Sequence, residues 1–218
     1  MRKGFSILSM LVIFFLSISI KAENKFTIHP LTLKESNLIF FVHAEKKDDC
    51  CENYSGKFES YEGKFWPVPG KTGLWSMKLV IPTRGYRGQE YYFDVYGRNE
   101  WGPDEAGTEW VKGENGFNNK INQEILIEIN DIPFDGEELG KKELDVSVRI
   151  GDISYPQRAV LTIDKTGVGY EGNSSYFIEL EFNLSFHDYS LSTDYESSYG
   201  RMSLFLWAED MPGFICGD

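Results

Sequence analysis

The residue types able to do chemistry are few in this sequence and widely spread. His29, His43 and His187 lie far apart, and none belongs to the His-x-x-x-His spacing that lets one helical face hold zinc. His43 stands in an apolar run, where a hydrogen-bonded structural histidine is the ordinary expectation. No Gly-x-Ser-x-Gly elbow is present to present a serine to a base. The stretch "PVPGKTG", Pro67 to Gly73, contains the Gly-Lys-Thr of a phosphate loop, but Phe65 occupies the place of the required first glycine, so a turn is predicted. Glu179 and Glu181 would share one face of a strand about 7 Å apart, a separation that suits the acid and base of a glycosidase. Alternating acids are also what keeps the wet face of a long strand in water. The loops "DIPFDGEE" (131–138) and "DYSLSTDYE" (188–196) collect oxygens of the kind a structural Ca²⁺ takes, without the EF-hand spacing. These readings assign no catalytic residue, no metal site and no cofactor, with structural calcium as the one ion to consider.

Aromatic side chains are the stronger signal. Tyr189, Tyr195 and Tyr199 stand in one loop, and four more rings, Trp66, Tyr86, Trp101 and Trp110, lie in or beside Gly and Pro loops. Exposed rings next to polar groups make platforms for sugar faces or hot spots for proteins, whereas rings beside turns also fold back to plug the ends of a sheet. These four are the candidate ligand contacts, with the Tyr86 and Trp101 loops as the contact tip. There are three cysteines, Cys50, Cys51 and Cys216. The expected disulfide joins Cys216 to Cys50 or Cys51 and is worth on the order of 5 kcal/mol in the chain-entropy model. The odd thiol is left for a disulfide-linked partner.

The elements that must carry these residues begin after a leader. Arg2 and Lys3 precede an uncharged run from Gly4 to Ile20 and a small-residue region, the layout of a secretory signal peptide with cleavage after Ala22 or Ser19. The run is shorter than the ~20 residues that span a bilayer comfortably, so no membrane insertion is expected after cleavage. Residues 1–22 are thus read as leader, and the protein as secreted or periplasmic. Cleavage after Ala22 would remove three cations and no acid, taking the net charge from −12 to −15. Such a surface repels phosphate backbones and anionic headgroups, which excludes nucleic acid as a natural partner.

A hydrophobic content of 41% with 15% aromatic residues is ample for a core. Apolar residues recur at period two, and Gly, Asn or Asp clusters interrupt them, so strands are predicted throughout. "NLIFFVHA" (37–44) reads as a central strand, and "WSMKLVI" places Trp75, Met77, Leu79 and Ile81 on one face. "EILIEIN", "LDVSVRI" and "SYFIELEFNLSF" likewise each have a dry face and a wet one, as antiparallel sheets do. "DKTG" (164–167) reads as a hairpin loop, and "VKGENGFNNK" (111–120) as a break in composition between two halves.

In "YYFDVYGRNEWG", Tyr91, Phe93, Val95, Gly97, Asn99 and Gly102 follow the spacing Tyr, x, Phe, x, Val, x, small, x, Asn, x, x, Gly. This resembles the penultimate strand and following loop of fibronectin type III domains, with "TEWV" (108–111) where the last strand would be. The resemblance implies an immunoglobulin-like sandwich acting as a spacer or binding module. The expected architecture is therefore all-β, with two antiparallel sandwiches of fibronectin, immunoglobulin or jelly-roll type: residues 23–112, a linker at 113–120, and residues 121–218. The expected function is an exported, non-catalytic binding or adhesion protein for a protein or glycan. A carbohydrate-active enzyme or binding domain, and a structural component of the cell envelope, are the alternatives.

Overall fold

The computed structural model describes residues 31–45, 52–93, 99–136, 138–168, 174–191 and 197–209. Residues 1–22, read above as a leader, His29, Cys50, Cys51, Cys216 and the side chain of Trp101 lie outside the described residues.

The period-two alternation builds strands as expected, but they form one sheet. In chain order they are β1 (Leu31–Glu45), β2 (Glu52–Phe58), β3 (Glu62–Pro67), β4 (Leu74–Pro82), β5 (Tyr86–Phe93) and β6 (Asn99–Asp104). A helix α1 (Glu105–Lys112) follows, then β7 (Glu124–Pro133), β8 (Leu139–Ile150), β9 (Ile153–Val168), β10 (Ser174–Ser185) and β11 (Ser197–Glu209). Neighbouring strands are antiparallel in the order β11-β10-β9-β8-β7-β4-β3-β1-β2-β5-β6. The sheet curls until β11 pairs again with β1, from Thr32 opposite Glu209 to Glu45 opposite Ser197. The two-sandwich expectation is thereby corrected to a single curled, barrel-like sheet.

Strand β1 is where the sheet branches. Its start pairs with β3 at Leu31 and Thr32, and its end pairs with β2 from Leu38 to Ala44. Strands β2, β5 and β6 therefore peel away from the ring as a flap. The space between flap and ring is filled by rings. Phe40 lies 5.1 Å from Phe117, 6.1 Å from both Phe58 and Phe186, and 6.2 Å edge-on from Tyr86. At another place in the core, Phe65 stacks near Trp75 (4.6 Å) and Phe134 (5.6 Å).

Inward residues line up across strands. Leu161, Leu180, Leu204, Leu38 and Phe58 form one continuous row through β9, β10, β11, β1 and β2, and all are buried. Each such side chain contributes roughly 1.5–3 kcal/mol by leaving water. Outward positions carry Lys78, Glu128, Glu143, Asp145, Arg158 and Glu181, all in ion pairs. Dry inside and charged outside is the reverse of a membrane-spanning barrel, whose lipid face is apolar. Among the described residues, no helix is long and apolar enough to cross a membrane.

Three local expectations are corrected. "TEWV" is helical, because Asp104 caps the turn by accepting from the Gly107 amide at 2.8 Å, with Glu105 at the start and Lys112 at the end complementing the helix dipole. The segment 113–120 is not a free linker. It drives the fully buried Phe117 into the core, held by Phe117 N–H to Val111 O at 2.7 Å and by the Asn122 side-chain amide to Phe117 O at 2.9 Å. Strand β9 runs straight through "DKTG", with a register shift between Ser175 and Tyr176 of its partner. "PVPGKTG" is the expected turn, with Gly70 and Gly73 at positive φ and Val68 N–H bonded to Leu74 O.

Candidate functional site

Alternation puts Phe41 and His43 on the outward side of β1, because Leu38, Phe40 and Val42 face in. Register then fixes their neighbours. Phe41 stands between Ser55 of β2 and Arg201 of β11, and His43 between Asn53 and Tyr199. Together with the backbone at Val42 and Tyr54 they line a groove of about 530 Å³ on the outer face of the sheet.

Phe41 is 43% exposed and Tyr199 48%, high values for aromatic rings held on paired strands. His43 Nδ1 lies 2.7 Å from Asn53 Oδ1. An amide oxygen only accepts, so the imidazole donates from Nδ1, leaving Nε2 as the acceptor of the neutral ring. The imidazole also lies against the Tyr199 ring, centroids 5.0 Å apart. Arg201 donates to Glu181 Oε1 at 2.8 Å, and the Ser203 hydroxyl donates to the same oxygen at 3.1 Å. The groove is thus two rings, an imidazole, and a guanidinium whose charge is balanced beside it.

Ser55 spends its proton on the Gln89 carbonyl at 2.7 Å rather than on His43. Glu181 is committed to Arg201 and Ser203, while Glu179 lies one place along the same outward face of β10. Among the described residues, no group of three or more His, Cys, Asp or Glu is arranged to hold a metal ion. Asp131 of the acid-rich 131–138 loop pairs with Lys71 at 2.8 Å. A second cleft, about 400 Å³ and lined by Pro82, Arg84, Asn119, Gln123 and Glu124, has no aromatic ring among those residues.

The four aromatic residues expected as ligand contacts lie on four different elements, β3, β5, β6 and α1. Tyr86 is fully buried, with its ring against Phe58 at 5.5 Å, and offers no face to a ligand. Its hydroxyl has no hydrogen-bond partner among the described residues, and burial, with the charge of Asp104 second, pushes the phenol well above its usual range. Trp110, on α1, is half-buried against Tyr54 (5.1 Å) and Phe186 (6.3 Å), sealing the flap. Trp66 is half-buried on β3 opposite Ser76, and Trp101 is on β6 opposite Tyr91. Sequence reasoning placed Tyr199 among the aromatic residues beside turns and missed Phe41 and Arg201. The signal that could have found them is an aromatic residue on the wet face of an alternating strand, as Phe41 is in "NLIFFVHA".

Neither a protein-family model nor a curated protein matches the sequence. The fold is similar to that of solved structures. BcnA from Burkholderia cenocepacia superposes with a TM-score of 0.54 at 12% identity, over 79% of this chain and 96% of that one. The Campylobacter jejuni YceI protein gives 0.53 at 11% identity, over 76% and 90%. Both are barrel-like, so the fibronectin type III expectation is replaced by an antiparallel, barrel-like fold shared with these proteins.

Proposed function

We propose that this chain is an exported, non-catalytic binding protein that recognises a glycan or a protein through aromatic side chains, and that the contact is the outer-face groove of β2, β1 and β11. The observation that carries this reading is the pairing of exposed Phe41 and Tyr199 with His43 and Arg201 in one concavity. Exposed rings are costly to leave in water unless something covers them, and donors at their edges give the cover an orientation. The aromatic contact expected in loops is thereby moved to a sheet face. Strong binding of polyanions does not fit a chain of net charge −12.

The test is capture of glycan arrays and displayed peptide libraries by the wild-type protein and by a Phe41→Ala/Tyr199→Ala double variant. Both side chains are exposed, so the fold and its near-UV circular dichroism should persist. Binding by the wild type should fall about tenfold or more in the variant. Equal capture by both proteins would place recognition elsewhere, and no capture by the wild type would remove the binding reading.

A further inference from the structure

The outer face of β11 carries a second aromatic platform. Phe177 of β10 is stacked at 6.3 Å on Phe205 and lies 5.3 Å from Trp207, which is 40% exposed. Residues 199 to 207 alternate along one strand, so Phe205 stands about 20 Å from Tyr199 on the same side. Between the two platforms lie Arg201, Glu181 and Ser203, a balanced set of donors and acceptors.

We infer, building on the binding reading above, that the two platforms are subsites for one extended neutral glycan lying along β11. A linear chain of pyranose rings has apolar faces for the two aromatic clusters and hydroxyl edges for the polar stretch between them. Charge complementarity selects neutrality: Arg201 is already matched by Glu181, Glu179 stands on the same face, and the chain carries net −12. An extended peptide adding to the sheet would need an open strand edge, and β11 is paired on both sides, to β10 and to β1. A lipid tail would need unbroken apolar cover, which the Arg201, Glu181 and Ser203 row interrupts.

Calorimetry on the full protein with neutral β-1,4-linked oligosaccharides of glucose and of N-acetylglucosamine, from disaccharide to hexasaccharide, tests this. Affinity should climb with chain length. Trp207→Ala should weaken the hexasaccharide about tenfold while leaving the disaccharide unchanged, and Trp207→Tyr should retain most of the hexasaccharide affinity. Length-independent affinity, or a hexasaccharide indifferent to Trp207→Ala, would overturn the two-subsite glycan. Capture of displayed peptides in place of sugars, still lost in the Phe41→Ala/Tyr199→Ala variant, would overturn the glycan while leaving the groove as the binding site. Absence of both sugar and peptide capture would overturn both.

Discussion

Among the described residues the Tyr86 hydroxyl, sealed near Phe40 and Phe58, has no hydrogen-bond partner, so it bears a desolvation cost that none of them returns. Tyr86→Phe is expected to raise stability by about 1 kcal/mol, seen as a higher denaturant midpoint at unchanged slope. Gly200 shows the opposite tolerance. A Cβ there would fall on the Phe40 ring, so Gly200→Ala should cost roughly 1–3 kcal/mol in the same measurement. Tyr189 is buried and donates to the Val148 carbonyl at 3.2 Å, and burial pushes its phenol up to about 12 from the usual 10.0. Above pH 10 the unfolded chain sheds this proton while the folded one keeps it, so stability should fall as pH rises from 10 through 12. Alkaline unfolding of Tyr189→Phe should be less steep over that window. An unchanged profile would mean that Tyr189 contributes nothing to it.

Helix α1 shows what local sequence carries and what it conceals. Asp104 caps it and Gly113 follows its end, but four of its eight residues, "TEWV" (108–111), read as a last strand because they sit beside strand patterns. Asp104→Ala should cost about 1 kcal/mol by orphaning the Gly107 amide, and raised hydrogen exchange confined to 105–112 would report it. The long alternating strands β7, β8 and β10 were legible because their buried Ile, Val and Leu repeat every second residue. The pairing of β1 with β11 was not, since it joins residues more than 150 apart and no local pattern encodes closure. For the same reason the candidate site was only half legible. Phe41 and Tyr199 are ordinary residues until register sets them side by side with His43 and Arg201, whereas Tyr86 looked exposed beside its Gly-rich turn and is core.

At the scale of the whole molecule, the curled sheet buries its Leu, Ile and Phe rows and leaves Phe41, Tyr199 and Trp207 exposed on its outward side. If the outer face binds as proposed, substitutions at Phe41, Tyr199 or Trp207 should change the thermal midpoint little while changing capture, and substitutions in the inward row should do the reverse. The proposed binding mode holds a ligand outside the sheet, away from the core. The direct measurement is an NMR titration of the full protein with the neutral hexasaccharides, following the ring resonances of Tyr199 and Trp207 against the methyl groups of Leu180 and Leu204. Shifts concentrated on the Tyr199 and Trp207 rings are predicted. Shifts concentrated on the Leu180 and Leu204 methyl groups would show a ligand entering the interior and would contradict the account.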